Sequence, residues 1–194
     1  MMKTEVKEAL LEGRSLVFVD EAIFITPSRI THAYAQKNTN CFIDELKTNV
    51  KSLAVVAGVS RDLGVDGFLI HQRSINSQNF IQFLEQLMES TIGAKLALFA
   101  DNCTVHHSKV VKKFTEDHDI KMIYNLPYSP QYNPIEIVWS LVKNKYKREK
   151  LDLLLQGRKI KHEILVRKCL LETHQDTVAT ICTKALKKYF DVDV

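Results

Sequence analysis

The sequence predicts an α/β domain in which a mixed β-sheet carries helices on its faces. Short apolar runs rich in β-branched and aromatic residues alternate along the chain with longer stretches of helical periodicity. Strand–helix–strand units require parallel pairing through right-handed crossovers, whereas two strand-like runs that follow each other directly predict an antiparallel hairpin. A sheet that combines both kinds of pairing is mixed, and helices must cover its apolar strands.

The strand predictions rest on runs in which β-branched and aromatic residues dominate. The first run, "SLVFVDEAIFI", is apolar except for its acids. The third and fourth runs are separated by "RDLGVD", in which Gly64 suits a hairpin turn. The predicted strands are 15–25, a short segment at 33–36 ("AYAQ"), 51–60, 64–72, 94–101 and 120–125.

The helix predictions rest on apolar residues that recur every three or four positions. In "SINSQNFIQFLEQLMES" these positions form one stripe, and a Ser or Asn at its start suits an N-cap. No repeat, low-complexity tract or flexible linker divides the chain, so we expect one domain over 1–194 with a helical lead-in at 1–14 and C-terminal helices within 151–194. The predicted helices after the lead-in are 74–90, 108–118, 134–149, 161–172 and 176–190.

The composition restricts the class of protein. The chain has 194 residues, of which 45% are hydrophobic and 26% charged, as in an ordinary globular domain. No apolar run approaches the roughly 18 residues of a membrane span, and the charged N-terminus lacks the apolar core of a secretory signal. The four cysteines are scattered and form no C-x-x-C pair. We therefore expect a protein of a reducing compartment that is neither secreted nor bound to a membrane.

Positive charge is concentrated in and after the predicted helix at 134–149. The net charge of the chain is only +4, but between Lys143 and Lys161 eight bases accompany two acids. Such a cluster is either a phosphate-binding surface or a solvated helix face. The candidate phosphate contacts are Lys143, Lys145, Lys147, Arg148 and Lys150.

Three acids occupy positions that call for an explanation. Asp20 interrupts the first apolar strand, where an unpaired carboxylate is costly to bury; alternatively, Asp20 and Glu21 mark the end of that strand. Asp101 closes the strand "LALFAD", at the edge where open α/β sheets bind ligands, or else it forms an Asx-turn. Glu136 falls three positions after Asn133 at a helix start, which is the arrangement of a capping box.

The three acids together predict a metal site. Two acids at strand ends and one in the first turn of the following helix are placed to converge on one edge of the sheet. Clustered carboxylates repel one another unless cations neutralise them, and carboxylate oxygens are the ligands that Mg²⁺ and Mn²⁺ favour. Two such ions can activate an attacking oxygen and stabilise a leaving one in phosphoryl transfer. The pattern therefore indicates a metal-dependent enzyme that acts on phosphodiesters.

Three segments resemble the catalytic blocks of DDE-type transposases of the mariner-like superfamily: "VFVDEAIF", "FADNCTVHHSKVV" and "LPYSPQYNPIEIVWSLVK". Asp20, Asp101 and Glu136 match the three catalytic acids, and 34 residues separate the second acid from the third, as in one large branch of that superfamily. The resemblance implies an RNase H-like fold with a mixed five-stranded sheet and helices on both faces. It also implies that the three acids hold two Mg²⁺ or Mn²⁺ ions and that the substrate is DNA.

The resemblance also implies roles for three neighbouring residues. Asn102 and His106 match positions of the second block and are expected to support the acids, although His106 can equally serve a helix-start hydrogen bond. Asn133 and Pro134 are expected to define the helix start without Glu136, which leaves Glu136 turned toward Asp20 and Asp101. With DNA as the substrate, the basic cluster becomes a candidate DNA-binding surface.

Two functions remain open at this point. The first is a transposase or integrase-type catalytic domain that cleaves and joins DNA strands. The second is a domesticated, transposase-derived scaffold or nucleic-acid-binding subunit that keeps the fold without the chemistry. Such transposases carry helix-turn-helix domains, and the residues before the first strand are too few for one. We therefore expect either a catalytic fragment or a protein that relies on a separate DNA-recognition subunit. The resemblance also implies a homodimer, located in the nucleus of a eukaryote and otherwise in the cytoplasm.

Overall fold

The computed structural model describes residues 2–25, 37 and 52–192. These residues form five strands and six α-helices. The strands are β1 (Ser15–Ile25), β2 (Ser52–Ser60), β3 (Gly64–His71), β4 (Leu96–Ala100) and β5 (Lys121–Tyr124). The helices are α1 (Met2–Leu11), α2 (Ser77–Ser90), α3 (Lys109–Asp117), α4 (Ile135–Leu155), α5 (His162–Leu171) and α6 (Gln175–Phe190).

The strands form one mixed sheet in the order β3-β2-β1-β4-β5. The β1–β2 and β2–β3 pairs are antiparallel, and the β1–β4 and β4–β5 pairs are parallel. The parallel pairing of β1 with β4 runs from Ser15 opposite Leu96 to Phe18 opposite Phe99. Strand β4 ends one residue later, so the second half of β1 continues past the end of β4. The mixed five-stranded sheet expected from the sequence is confirmed.

Helices cover both faces of the sheet. On one face, α1, α4, α5 and α6 pack against Phe18 and Phe24 of β1, while on the other face α2 and α3 pack against Val17 and Val19. Successive residues of β1 thus point alternately to the two helical layers, as the pleat of a strand requires. This alternation decides which helix each acid of β1 faces.

The strand and helix predictions agree closely with the structure. The predicted strand at 15–25 is β1, and the hairpin of β2 and β3 turns at Gly64, whose φ of 82° suits a residue without a Cβ. Asn76 caps α2 in a capping box with Asn79. Helix α4 continues to Leu155, beyond the predicted end at 149, because good helix formers follow until the chain leaves the helix. The predicted strand at 33–36 lies outside the described residues.

No helix among the described residues could cross a membrane. None of the helices in 2–25 and 52–192 combines the required length with sufficient apolar character.

Gly58 of β2 is a packing constraint that can be tested. A Cβ at this position would lie 2.8 Å from Val17 Cγ1 and 3.4 Å from Phe83 Cζ, inside the closely packed layer beneath α2. We predict that Gly58→Ala lowers the free energy of unfolding by about 1–3 kcal/mol, the usual cost of overpacking a core. Urea denaturation monitored by circular dichroism measures this change.

The matched control is Gly67→Ala on the neighbouring strand. A Cβ at Gly67 meets its nearest atom, Leu87 Cα, at 3.7 Å, which is an ordinary van der Waals contact. This variant should unfold at nearly the wild-type urea concentration. Equal destabilisation of the two variants would contradict the close packing of Gly58 against Val17.

Candidate metal site

Asp20 and Glu21 are adjacent in β1 but point to opposite faces of the sheet. Phe18 and Ala22 belong to the core beneath α4, so the alternation of the strand directs Asp20 toward the α4 side and Glu21 toward the α2–α3 side. Both residues lie in the part of β1 that extends beyond β4. They are partly buried, so the strand does not simply end there in solvent.

Asn133 fixes the position of Glu136 relative to β1. Its buried side-chain amide donates a hydrogen bond to the carbonyl oxygen of Val19, at 3.1 Å, immediately before Asp20. The side-chain oxygen of Asn133 accepts a longer bond, 3.4 Å, from the backbone N–H of Ile135. The loop in front of α4 is therefore attached to the strand that carries Asp20.

The capping-box alternative for Glu136 is not what the structure shows. The backbone N–H of Asn133 donates to the carbonyl oxygen of Pro130, at 2.9 Å, at the end of a short 3₁₀ helix (Pro130–Tyr132). That donor is therefore already used and does not require the carboxylate of Glu136. Helix α4 begins at Ile135 behind Pro134, and Glu136 is an exposed side chain of its first turn.

Asp101 follows the last residue of β4 and makes two kinds of contact. One carboxylate oxygen accepts a bond of 3.0 Å from the backbone N–H of Cys103, which is the Asx-turn considered as an alternative. The same oxygen, Oδ1, lies 3.2 Å from Nδ1 of His106. The turn and a functional role are therefore compatible, because the turn orients the carboxylate that the sequence predicts as a metal ligand.

His106 joins Asp101 to Glu21. The ring is buried and packs on Phe80, with 4.5 Å between ring centroids, while its Nε2 lies 3.2 Å from Oε1 of Glu21. Burial favours the neutral ring, but hydrogen bonds to the carboxylates of Asp101 and Glu21 outweigh it and raise the pKa of His106 to about 10. The hydrogen bond from His106 in turn holds the pKa of Asp101 below its usual value. His106 is thus an imidazolium that bridges two acids.

Glu21 is the residue of this group that sequence reasoning missed. Its carboxylate, that of Asp101 and the ring of His106 offer ligand atoms within 4.8 Å of one another. This set has the spacing of a metal site, but a protonated imidazole cannot be a ligand. In the protonated form it is instead an ion-paired support for Asp101. The sequence does contain one signal for Glu21. Because successive side chains of a strand point to opposite faces, the residue after Asp20 must face the other side of the sheet.

Asp20 faces uncompensated negative charge. Burial, then the negative charges of Glu136, Glu21 and Asp101, raise the pKa of Asp20 to about 7. Glu136 contributes the largest electrostatic effect of the three. The carboxylates of Asp20, Glu136, Glu21 and Asp101 therefore interact electrostatically, whereas the group of described residues whose ligand atoms lie within 4.8 Å of one another is Glu21, Asp101 and His106.

Asn102 supports the loops around this edge. Its side-chain amide donates to the carbonyl oxygen of Asn125 at 2.6 Å, and its side-chain oxygen lies 3.2 Å from Nε2 of His107. The ring of His107 stacks on Tyr124 with centroids 4.2 Å apart. Asn102 thus connects the carboxyl ends of β4 and β5.

The basic residues of α4 point in different directions. Glu136, Lys143 and Lys147 recur at helical spacing and share one face of the helix, which carries the two lysines away from the sheet edge. Lys145 forms an ion pair of 2.7 Å with Glu172. Arg148 is exposed on an adjacent face.

Lys150 corrects the predicted set of phosphate contacts. Only 5% of this residue is exposed, because it lies on the side of α4 that packs against the rest of the domain. A buried ammonium group cannot reach a DNA backbone without a rearrangement, so Lys150 does not belong to an exposed basic surface. The sequence could not reveal this, since basic residues occur on every side of this part of the helix.

Comparison with known proteins agrees with this description of the fold. A family model described as DDE superfamily endonuclease matches residues 15–154. A comparison with curated protein sequences finds no match.

Several solved structures share the fold. Mos1 transposase in a paired-end complex with the left transposon end aligns with a TM-score of 0.64 and 12% identity over 98% of this chain and 59% of that one. The catalytic domain of Mos1 mariner transposase aligns with a TM-score of 0.58 and 13% identity over 95% of this chain and 86% of that one. A chain in the structure of the simian T-cell lymphotropic virus intasome aligns with a TM-score of 0.57 and 15% identity over 81% of this chain and 47% of that one. The RNase H-like fold expected from the sequence is confirmed.

The raised pKa of Asp20 predicts a pH-dependent stability. Its pKa is about 7 in the folded state against 3.8 for the isolated group, so the folded state retains a proton that the unfolded state loses between these values. The folded protein therefore loses stability as the pH rises from about 4 through 7. We predict that Asp20→Asn has a free energy of unfolding up to about 4 kcal/mol higher than that of wild type at pH 8, and therefore melts at a higher temperature, whereas the two proteins are about equally stable at pH 4.

Asp66 provides the control for this experiment. Burial raises the pKa of Asp66 to about 7 as well. Asp66→Asn should therefore also be more stable than wild type at pH 8 and about equally stable at pH 4. At pH 8, Mn²⁺ should raise the melting temperature of wild type and of Asp66→Asn but not that of Asp20→Asn. Thermal melts at both pH values, with and without Mn²⁺, measure this. Equal responses of the three proteins to Mn²⁺ would argue against Asp20 as a ligand.

Proposed function

Because the chain belongs to the DDE superfamily of endonucleases, we propose that it is a metal-dependent DNA strand-cleaving and strand-joining domain of the transposase type. The observation that carries this proposal is the effect of Glu136, Glu21 and Asp101 on Asp20, whose pKa burial and these charges raise together. Such a concentration of carboxylates at one sheet edge destabilises the folded state unless a cation is supplied. Because the carboxylate cluster does not stabilise the fold, its presence supports a functional role.

The acids fit Mg²⁺ or Mn²⁺. Asp20, Asp101 and Glu136 offer oxygen ligands, the donor type that both ions prefer, and a cation there would relieve the repulsion that Asp20 experiences. We propose that these three residues hold two ions. When bound, such ions lower the cost of the charge that develops on the attacking and leaving oxygens of a phosphodiester. Solved structures of the Mos1 transposase include a mariner paired-end complex with Mn and a catalytic domain with Mg.

The surrounding residues would orient these ligands. Nδ1 of His106 forms a hydrogen bond of 3.1 Å with the carbonyl oxygen of Asp101 and an ion pair of 3.2 Å with its Oδ1, and Nε2 contacts Glu21, so His106 would help to orient the Asp101 carboxylate. Asn133 fixes the distance between β1 and α4 and hence between Asp20 and Glu136. Partners of this kind are commonly worth 10- to 100-fold in metal affinity or activity.

DNA is the proposed substrate and partner. Lys143 and Lys147 share the helical face of Glu136, so a phosphate backbone that approaches the acids would pass beside their ammonium groups. The Mos1 structures include a paired-end complex with the left transposon end and a strand transfer complex. The chain spans 59% of the Mos1 chain in the first complex. We also propose a separate DNA-recognition subunit as a partner. A eukaryotic host would place the protein in the nucleus, and a prokaryotic host in the cytoplasm.

A direct test measures nicking and joining of DNA. Asp101→Asn keeps the shape of the side chain and removes the negative charge that a metal ion needs. We predict that nicking of supercoiled DNA in Mg²⁺ or Mn²⁺ falls more than about 100-fold, beyond the loss expected from removing a partner of a metal ligand. Gel electrophoresis of the plasmid forms measures the rate.

Asp117→Asn is the matched control, because Asp117 is an exposed aspartate at the end of α3, away from β1 and α4. It should keep the wild-type rate. A wild-type protein that binds DNA but shows no metal-dependent nicking would instead support the alternative function, a scaffold or nucleic-acid-binding subunit that has kept the fold.

The basic face of α4 gives a second prediction. Reversing the charge of two phosphate contacts, Lys143→Glu with Lys147→Glu, should weaken DNA binding uniformly across sequences and reduce the slope of log K against log salt by about 2. Fluorescence anisotropy of labelled DNA over a salt series measures both quantities. Lys187→Glu with Lys188→Glu on α6 is the matched control and should leave the slope unchanged. An equal change in both double variants would assign the effect to net charge.

A further inference from the structure

Helix α4 carries a regular stripe of exposed side chains opposite its core face. Residues that pack inward, such as Val138, Trp139, Val142 and Tyr146, lie on one side of the helix. The exposed stripe follows a 4-3-4-3-4 spacing, and all six of its members are exposed. They are Ile137, Leu141, Asn144, Arg148, Leu151 and Leu155.

The stripe is more apolar than a solvent-facing helix surface should be. The exposed fractions of its four apolar residues are 55% for Ile137, 43% for Leu141, 37% for Leu151 and 69% for Leu155. Single exposed leucines are common, but apolar residues aligned over five turns are not. The spacing is that of the a and d positions of a coiled coil, which bury such residues between two helices.

We propose that this stripe, the α4 seam, binds the α4 seam of a second copy of the chain in antiparallel orientation. The seam is symmetric about Tyr146: its residues lie nine, five and two positions away on either side. Ile137 therefore meets the partner's Leu155, and Leu141 meets the partner's Leu151. Asn144 meets the partner's Arg148. Each contact occurs twice, as a two-fold interface requires.

The polar pair at the centre selects this orientation. In the antiparallel arrangement the side-chain oxygen of Asn144 can accept a hydrogen bond from the guanidinium group of the partner's Arg148. A parallel arrangement would instead place the two Arg148 side chains opposite each other and bury like charges. A single polar position within an apolar seam commonly sets the register and orientation of paired helices. The apolar pairs at both ends would then supply the binding free energy.

The flanking charges predict how the dimer responds to salt. Lys145 and Lys147 border the centre of the seam, and each would lie near its counterpart in the partner. Glu172 neutralises Lys145 through an ion pair of 2.7 Å, whereas Lys147 is exposed. Salt screens the remaining repulsion, so the dimer should become tighter as the salt concentration rises. This proposal does not depend on the proposed DNA chemistry.

Sedimentation equilibrium tests the dimer with the full chain. Leu141→Glu should raise the dissociation constant of the dimer at least tenfold, because it buries a carboxylate against the partner's Leu151. Ile92→Glu is the matched control, since Ile92 is 89% exposed at a turn outside the seam. Thermal melts of both variants show whether the monomer fold is intact. A wild type that remains monomeric up to about 1 mM, or a dimer that Leu141→Glu leaves intact, would overturn the proposal.

Cross-linking tests the orientation. The double variant Leu141→Cys with Leu151→Cys should form a covalent dimer with a short bis-maleimide, at several times the yield of the parent chain, whose own cysteines set the background. Leu141→Cys alone should remain at that background, because an antiparallel seam keeps the two copies of residue 141 far apart. Efficient cross-linking of the single variant would overturn the antiparallel arrangement, and failure of the double variant to cross-link would overturn the interface.

Discussion

The hydrogen bond from the buried Asn133 side chain to the Val19 carbonyl connects the two elements on which the candidate site depends. Strand β1 supplies Asp20 and helix α4 supplies Glu136, and these two residues are more than one hundred positions apart in the sequence. The parallel pairing of β1 with β4 then places Asp101 at the same edge. Without the Asn133 bond, only packing would hold the start of α4 against β1, and the separation of the acids would not be fixed.

The charges at this edge are balanced on one face of the sheet and unbalanced on the other. His106 neutralises part of the charge of Asp101 and Glu21 on the α2–α3 side. The side chains that shift the pKa of Asp20 are all acidic: Glu136 of α4, and Glu21 and Asp101, which also contact His106. A protonated His106 can therefore hold the Asp101 carboxylate in place before a cation arrives, while Asp20 and Glu136 keep the unsatisfied charge that attracts one. This asymmetry accounts for one acid with a lowered pKa beside another with a raised pKa.

The order of the elements could be predicted because it depends on local patterns, and the same patterns predict that the acids gather at one edge of the sheet. Apolar runs define β1 and β4, and the ends of parallel strands meet at one edge whatever the details of packing. The role of Glu21 could not be predicted, since it depends on the ring of His106 being buried against Phe80, a contact between distant segments. Lys150 was misjudged for a similar reason. Apolar and basic residues alternate along α4, so the sequence alone does not show which side packs inward.

The faces of helix α4 have three different environments. One face packs in the core, a second carries Glu136 with Lys143 and Lys147, and a third is the α4 seam. In the proposed dimer the seam centres on Tyr146, and Glu136 lies ten residues from that point in each copy. At a rise of 1.5 Å per residue the two glutamates would be about 30 Å apart along the paired helices. The dimer would then present two acidic edges at a fixed separation, a geometry suited to acting on two DNA strands in one assembly.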